Sequence, residues 1–301
     1  MKVSMNPIVK KDLKVASRSI RLSLSLFAYE GVLVLALILA LFIIENSVNS
    51  IYTTGNIYSY LMYIFPVLAI SQVCIVALIV PIITASSISG EKERQTFDIM
   101  ATTCISPFGI VLGKVTSAVL RILFFVAASI PVMALPFVVG GVKWSTLFYF
   151  LLTILLLSVF SGSIGILCSS FCRKSIMAVI MSFIIYFCIF GLTFLPLLLR
   201  AVGDASSAGD TLLPLLMNPI VFFEEFFMLV MTGESLLGRP WGEYAFNRSD
   251  VGFFTYHLCQ GPVWMLASAL CIFLLSLLFM IIAAWKINPL HTSSGRKRRK
   301  K

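Results

Sequence analysis

Charged residues are scarce in this sequence, and their scarcity excludes an ordinary soluble domain. Of the 301 residues, only 12% are Asp, Glu, Lys or Arg, whereas 59% are hydrophobic. Soluble globular proteins typically contain about 25% charged and about 45–50% apolar residues. Because the apolar residues form long blocks, little of the chain is left for a separate soluble domain of about 100 residues or more.

The motifs of the common enzyme classes are absent as well. The two histidines, His257 and His291, do not belong to an H-E-x-x-H zinc motif. The sequence has no G-x-S-x-G nucleophile motif and no G-x-x-x-x-G-K-[ST] loop for nucleotide phosphates. We therefore predict that the chain is not an enzyme and holds no metal or cofactor of its own. Any ATP-driven step would need a separate polypeptide.

Six long apolar blocks are the dominant feature that is present. A helix needs about 20 predominantly apolar residues to cross the hydrocarbon core of a bilayer, where no water can bond its backbone. The blocks that reach this length are 24–44, 60–84, 110–139, 144–168, 176–199 and 262–285. We predict an all-α polytopic membrane protein with six transmembrane helices and no cleavable signal peptide.

Lysine and arginine are distributed unevenly between the loops, which predicts the orientation. Segments 1–23, 85–109, 169–175 and 286–301, together with Lys114, carry 18 of the 23 basic residues and four of the 13 acids. The segments on the other side carry four basic residues and eight acids. Since cytoplasmic loops retain Lys and Arg, both termini are predicted to be cytoplasmic, in the inner (cytoplasmic) membrane. The basic charge then indicates orientation and contact with lipid headgroups, not binding of nucleic acid.

Residues 1–23 predict a cytoplasmic amphipathic helix that precedes the spans. Between residues 5 and 22, apolar residues recur at spacings of three and four and form one stripe, with basic residues opposite. Such a helix lies in the plane of the lipid headgroups. The alternative is a disordered basic leader. At the other end of the sequence, 291–301 is a basic cytoplasmic tail.

The loop 85–109, between the second and third spans, combines charges with turn signals. Gly90 predicts a break in the helix, and residues 91–94, Glu-Lys-Glu-Arg, predict a charged turn. Helical patterning then resumes, and Ser106 with Pro107 predicts an N-cap and a first-turn proline for the third span. A short exposed helix of this kind suits docking on a protein groove. A solvated loop fits the same pattern equally well.

The same loop carries a family resemblance. Three stretches of the chain resemble the signature of ABC-2 type transporter permeases. They are 90–96 (GEKERQT), 102–107 (TTCISP) and 112–114 (LGK). Gln95 and Cys104 stand where Gly and Pro are commoner in that family. The N-terminal stretch with the sequence NPIVKKDL is similar to the opening of the family. The resemblance extends over essentially the whole chain, and the loop carries most of its specificity.

The resemblance implies the permease subunit of an ATP-driven exporter. Two permeases, identical or homologous, would form the translocation pathway, and two ABC ATPase subunits would bind the ATP and Mg. Residues 1–23 would be the elbow helix, 24–290 the six-span transmembrane domain, and 91–103 would contain the coupling helix that contacts the ATPase. The residues at that contact would be Glu91, Lys92, Glu93, Arg94, Phe97, Asp98 and Met100.

Two charges, Glu30 and Arg121, lie within predicted spans at similar depths. Ionisable residues inside a membrane are rare and commonly pair with one another. We therefore expect an ion pair between them that joins the first and third spans, with a structural role rather than a contact to substrate.

The long outer loop 200–261, between the fifth and sixth spans, contains an apolar stretch that does not suit a span. It includes two prolines and the adjacent Glu224 and Glu225, which disfavour a continuous helix across the bilayer. We expect helices that dip into the outer leaflet and return, where protein covers the backbone. Asn218 with Pro219 resembles the outer re-entrant hairpin of the family. The alternative is an extracellular helical cap packed on the spans.

Small residues mark one further feature, the patch 161–165 (SGSIG) in the fourth span. Small side chains let helix backbones approach closely in membranes, either within the subunit or against a partner permease. The seven cysteines, mostly in or near spans, are predicted to be packing residues.

Two other functions remain open on the sequence. The first is a membrane scaffold or sensor subunit that uses the same fold and moves no substrate of its own, since some relatives serve assembly or signalling systems. A secondary transporter would have internal inverted repeats and midplane charges, and the sequence has neither beyond Glu30. The sequence does not identify the substrate, although an apolar cavity would favour lipophilic, peptide or drug-like molecules.

Overall fold

The computed structural model of the chain describes residues 7–17, 19–50, 64–97, 106–138, 143–202, 213–233 and 262–288. Every regular element in these ranges is helical, as the sequence predicts. The helices are α1 (Pro7–Ser17), α2 (Ile20–Ser50), α3 (Ile64–Glu93), α4 (Pro107–Ala128), α5 (Ile130–Val138), α6 (Trp144–Phe171), α7 (Ser175–Val202), α8 (Pro219–Thr232) and α9 (Val263–Ile287), with a 3-10 helix at Leu213–Met217.

Six of the described helices are long and apolar enough to cross a membrane: α2, α3, α4, α6, α7 and α9. Each of the six predicted blocks falls on one of them. The third block, 110–139, is divided, because α4 ends at Ala128 and α5 begins at Ile130. Pro131 causes this interruption, since it has no N–H for the carbonyl of Ala127 and its ring crowds that carbonyl.

Helix α6 is the centre of the bundle and packs along α3, α4, α7 and α9. Its apolar stretch is 67% buried, a larger share than in the other five span helices. A Cβ added to Gly165 would lie 2.9 Å from the Cβ of Thr84 and 3.0 Å from the backbone nitrogen of Ala85, both on α3. The small-residue patch 161–165 therefore permits close packing of α6 on α3 within one subunit.

Five helix ends meet at one end of the bundle. The C-terminal ends of α3, α6 and α9 meet the N-terminal ends of α4 and α7. We term this the basic end, because it includes Lys92, Lys114, Arg173, Lys174 and Lys286. Helix α1 packs on α4 at the same end. That the basic end faces the cytoplasm stays a prediction.

The predicted amphipathic helix over residues 5–22 is divided in the structure. Helix α1 ends at Ser17, and Ile20 begins the long first span helix α2. Within α1, Val9 is buried, whereas Lys10, Lys11 and Lys14 are exposed. Val9 and these lysines therefore lie on different faces of α1, and the placement of the helix in the headgroup plane stays a prediction.

The opposite end of the bundle is covered by the 3-10 helix and α8. Helix α8 has 14 residues, or about 21 Å, which is too short to cross a bilayer. Its Phe222, Phe223 and Phe226 nevertheless belong to the main hydrophobic core of the bundle. Helix α8 thus packs among the spans, and its depth in a membrane stays a prediction.

Candidate functional site

Lys114 is the centre of a charge cluster at the basic end. Its Nζ lies 2.9 Å from Oε1 of Glu91 and 3.3 Å from Oδ2 of Asp12. The hydroxyl of Ser117, one turn further along α4, also donates to Asp12 Oδ2, at 3.4 Å. Lys114 is only 6% exposed, so both carboxylates balance a cation that has left water. The charge cluster of Asp12, Glu91 and Lys114 joins α1, α3 and α4.

Lys92, the neighbour of Glu91, reaches the end of another helix. Its Nζ donates to the backbone carbonyls of Ser169, at 3.1 Å, of Ser170, and of Cys172, at 3.5 Å. The last carbonyls of a helix have no partner within the helix and carry the negative end of its dipole. Lys92 therefore caps α6 and holds its C-terminus against α3.

Glu93 makes the matching contact to the start of α7. Its Oε2 accepts hydrogen bonds from the backbone N–H of Ser175, at 3.2 Å, and from the Ser175 hydroxyl, at 2.8 Å. A carboxylate is favourable there because the first N–H groups of a helix lack internal partners. Glu93 thus fixes the position of the α6–α7 turn relative to α3.

Helix α3 continues through Gly90 and ends at Glu93, so the predicted break at Gly90 is wrong. A glycine inside a helix costs only about 1 kcal/mol relative to alanine, and the side chains that follow it are bonded to neighbouring helices. The helix ends in a Schellman motif, in which Gln95 has φ 60°. The N–H groups of Gln95 and Thr96 donate to the carbonyls of Lys92 and Glu91, at 3.2 and 3.0 Å.

The residues predicted to contact an ATPase thus have different surroundings. Glu91, Lys92 and Glu93 each bind another part of this chain. Arg94 is exposed, and Phe97 is half-buried under the Lys92 ammonium, 5.7 Å from its ring centroid. Asp98 and Met100 lie outside the described residues.

Sequence reasoning did not single out Asp12 and Lys114 as site residues. Both lie in stretches that carry the family resemblance, the N-terminal opening and the LGK stretch. That signal pointed to these residues, but spacing along the chain could not show that Asp12 and Lys114, which are 102 residues apart, converge.

A polar groove of about 800 Å³ opens beside the charge cluster. Its walls come from α1, from the end of α3 and from the start of α7. Its charged lining residues are Lys11, Glu91, Glu93 and Arg94. Charges of both signs on an open groove suit a polar protein segment better than an apolar ligand.

Glu30 and Arg121 do not form the predicted ion pair. In the part of the chain that the structure describes, both ion pairs involve Lys114. Glu30 Oε1 and Arg121 Nε are each buried without a hydrogen-bond partner. Tyr29 occupies the side of α2 that faces α4, with its ring centroid 5.3 Å from that of Phe125. Because successive helical residues point about 100° apart, Glu30 is directed elsewhere.

At the opposite end, Asn218 is an N-cap that also joins two helices. Its Oδ1 accepts from the N–H of Ile220 at 2.9 Å, and its Nδ2 donates to Thr193 Oγ1 of α7 at 2.8 Å. Pro219 occupies the first helical position, where a missing N–H costs nothing. These contacts explain why α8 begins there, next to α7.

The adjacent glutamates of α8 are in different environments. Glu225 is fully buried, whereas Glu224 is exposed. The sequence does not separate them, because burial on a short helix depends on which face packs against the spans.

Comparison with known protein families gives a match over most of the chain. A family model described as "ABC-2 family transporter protein" matches residues 34–285, from within α2 to near the end of α9. The match contains Glu91 and Lys114, and Asp12 precedes it. No curated protein matches the chain.

Proposed function

This chain belongs to the ABC-2 transporter family, whose members are multi-pass transmembrane components of transporters, and on that premise we propose that it is the permease subunit of an ATP-driven exporter. Two permease subunits, identical or homologous, form the translocation pathway. Two separate ATPase subunits bind ATP and Mg and hydrolyse the ATP. The family match over residues 34–285 is the observation that carries this proposal.

Energy enters the permease at the basic end in this proposal. A segment of the ATPase occupies the polar groove, where Arg94 is exposed to contact it. Movement of the end of α3 is passed on by Glu91 to α4 and α1, by Lys92 to α6, and by Glu93 to α7. These three are positioning residues, while Phe97, Asp98 and Met100 continue the contact within segment 91–103.

The orientation follows from the same proposal. The basic end, both termini and the tail 291–301 face the cytoplasm, in the inner membrane, since loops rich in Lys and Arg stay inside. Helix α1 is the elbow helix in the headgroup layer, and α8 with the 3-10 helix is the outer re-entrant hairpin. Substrate then moves from the basic end toward the end that α8 covers.

Charge reversal of Arg94 tests the contact with the ATPase. The tagged chain is co-expressed with a candidate ABC ATPase, and the amount of ATPase recovered with it is measured. We expect Arg94→Glu to lower recovery at least about fivefold, because loss of a charge pair at an interface costs on the order of 1 kcal/mol or more.

Lys10→Glu is the matched control, because Lys10 is exposed on α1 and does not line the groove. Glu91→Arg is less informative, since it also breaks the ion pair with Lys114. Equal recovery with Arg94→Glu and Lys10→Glu would refute a contact at Arg94.

A scaffold or sensor subunit without transport is the alternative in the same family. Both functions predict binding of an ATPase, so reconstitution in liposomes separates them. The permease proposal expects substrate to stimulate ATP hydrolysis and to accumulate on the side opposite the ATPase. ATPase binding without either effect, across candidate substrates, would favour the alternative.

A further inference from the structure

An apolar cavity of about 450 Å³ lies between α3, α6, α7 and α8. It shares no lining residue with the groove at the basic end. Ligand pockets for drug-sized molecules commonly have about 300–1,000 Å³. The cavity is therefore large enough for one small organic molecule, and the chemistry of its walls limits which kind.

Aromatic rings and one carboxylate dominate the walls. Phe160, Phe190, Phe223 and Phe227 come from three helices, and Glu224 of α8 is the charged residue in the lining. Aromatic faces attract cations through their quadrupole, and more strongly where water is excluded. No Lys, Arg or His is among the described residues that line the cavity, so nothing there would balance an anion.

The two hydroxyls that line the cavity are bonded to each other. Tyr186 on α7 donates to Ser161 Oγ on α6, and both residues line the cavity. A ligand with many hydrogen-bonding groups would therefore find few partners there. An apolar body suits the cavity better, since burial of apolar area alone contributes about 25 cal/mol per Å².

The cavity opens toward an apolar surface of α3. Ile70 and Cys74 line it and are themselves exposed, and Leu78 continues the exposed row one turn further. A row at spacings of four lies along one helix face. On a span helix that face contacts lipid, so a ligand can enter by partitioning into the bilayer first.

We propose that this cavity binds a lipophilic monovalent cation, with its apolar body among the phenylalanine rings and its charge beside Glu224. Three features favour this class of ligand. Glu224 balances the charge of the ligand, the four rings contact its apolar body, and the lateral opening admits it from the bilayer. The inference rests on the proposed function only in making the bound cation a transport substrate. Binding itself is a property of this chain, and it is measured without an ATPase.

Cys74 provides a native reporter of occupancy. The full chain, with Cys74 as its only cysteine and the other six changed to alanine, is placed in lipid nanodiscs. It is labelled with N-ethylmaleimide at alkaline pH, because the thiolate is the reactive form. Methyltriphenylphosphonium is the cationic probe, and triphenylphosphine oxide is a neutral probe with the same three phenyl rings. We expect the cation to slow labelling of Cys74 saturably, and the neutral probe to do so only at much higher concentration.

A variant with Cys188 as its only cysteine is the control for nonspecific effects. Cys188 is exposed on α7 and does not line the cavity. Its labelling rate should not respond to either probe at concentrations that protect Cys74.

Two substitutions locate the charge and the body of the ligand. Glu224→Gln should raise the half-protecting concentration of the cation about tenfold, as expected for losing a close charge pair, and leave the neutral probe unchanged. Glu45 on α2 is exposed and lies outside the cavity, so Glu45→Gln should leave the half-protecting concentrations of both probes unchanged. Ala77→Leu places a larger side chain in the cavity and should weaken both probes, whereas Ala127→Leu on the exposed surface of α4 should not.

Three results would overturn the inference. The first is equal protection by both probes with no effect of Glu224→Gln. The second is slower labelling of Cys188 at the probe concentrations that protect Cys74, which would mean that the probe acts through the bilayer and not by filling the cavity. The third applies if Glu224→Gln does not fold, and it uses Glu224→Asp, which keeps the charge. Loss of the preference for the cation in this variant would contradict a role of the charge. Failure here leaves the Arg94→Glu co-purification result unaffected, so the two proposals fail separately.

Discussion

At the residue scale, Lys114 depends on two carboxylates from distant parts of the chain. A buried cation is tolerated only where opposite charges and hydrogen bonds replace its water. Glu91 and Asp12 supply both, at 2.9 and 3.3 Å. Removal of one partner would leave a partly uncompensated charge, so each of the three residues holds α1, α3 and α4 in register.

Gln95 is a residue under backbone strain. It is the described non-glycine residue with positive φ, and a left-handed conformation costs an L-residue with a Cβ roughly 1 kcal/mol or more relative to glycine. Gln95→Gly is therefore expected to stabilise the protein by about 1 kcal/mol. The measurement is the free energy of unfolding in detergent, followed by far-UV circular dichroism.

Gln95→Ala separates backbone strain from loss of the glutamine side chain. Alanine retains the Cβ and therefore the strain, so its stability should remain close to that of the wild type. Equal stabilisation by alanine and glycine would show that the side chain, not φ, is the cause. Glycine is the residue that the Schellman geometry favours at this position.

At the element scale, the last turn of α3 is an organising feature of the basic end. Successive residues of a helix point about 100° apart. Glu91, Lys92 and Glu93 can therefore contact three different helices, α4, α6 and α7. A break at Gly90 would change the directions of these three side chains. The three contacts can form together because the helix continues through Gly90.

The pair α3 and α6 gives a prediction about close packing. A Cβ at Gly165 would collide with Thr84, including its Cβ at 2.9 Å, and lie 3.0 Å from the backbone of Ala85. Because backbone atoms cannot move aside cheaply, we expect Gly165→Ala to destabilise the protein by about 1–3 kcal/mol. The loss of stability is measured as a decrease in the apparent melting temperature in detergent.

Gly191→Ala on α7 is the matched control for that substitution. A Cβ at Gly191 has no atom within 4 Å, so alanine should be neutral or stabilising by up to about 1 kcal/mol through helix propensity. If both alanine variants melted like the wild type, close packing of α6 on α3 at Gly165 would be refuted.

At the scale of the whole molecule, the distribution of Lys and Arg predicts which end faces the cytoplasm. Single cysteines at residue 210 and at residue 173 in a cysteine-free chain report on the two ends. A membrane-impermeant maleimide should label residue 210 in intact cells, and residue 173 only after permeabilisation. The opposite pattern would reverse the proposed direction of transport.

The sequence by itself determined the class of the molecule and the number of its spans. Length, hydropathy and proline position are local properties of the chain, and a bilayer requires continuous apolar helices. The same local signals found the N-cap at Ser106. They also carried the family resemblance, because its motifs are contiguous stretches.

Only the tertiary structure decided which of those residues meet. The orientation of α2 about its own axis directs Tyr29, and not Glu30, toward α4. Arg121 of α4 therefore does not form the ion pair with Glu30 that the sequence predicted. Convergence of α1, α3 and α4 instead gives Lys114 its two carboxylates. Such contacts depend on the angles between packed helices, and a pattern along one chain segment does not contain those angles.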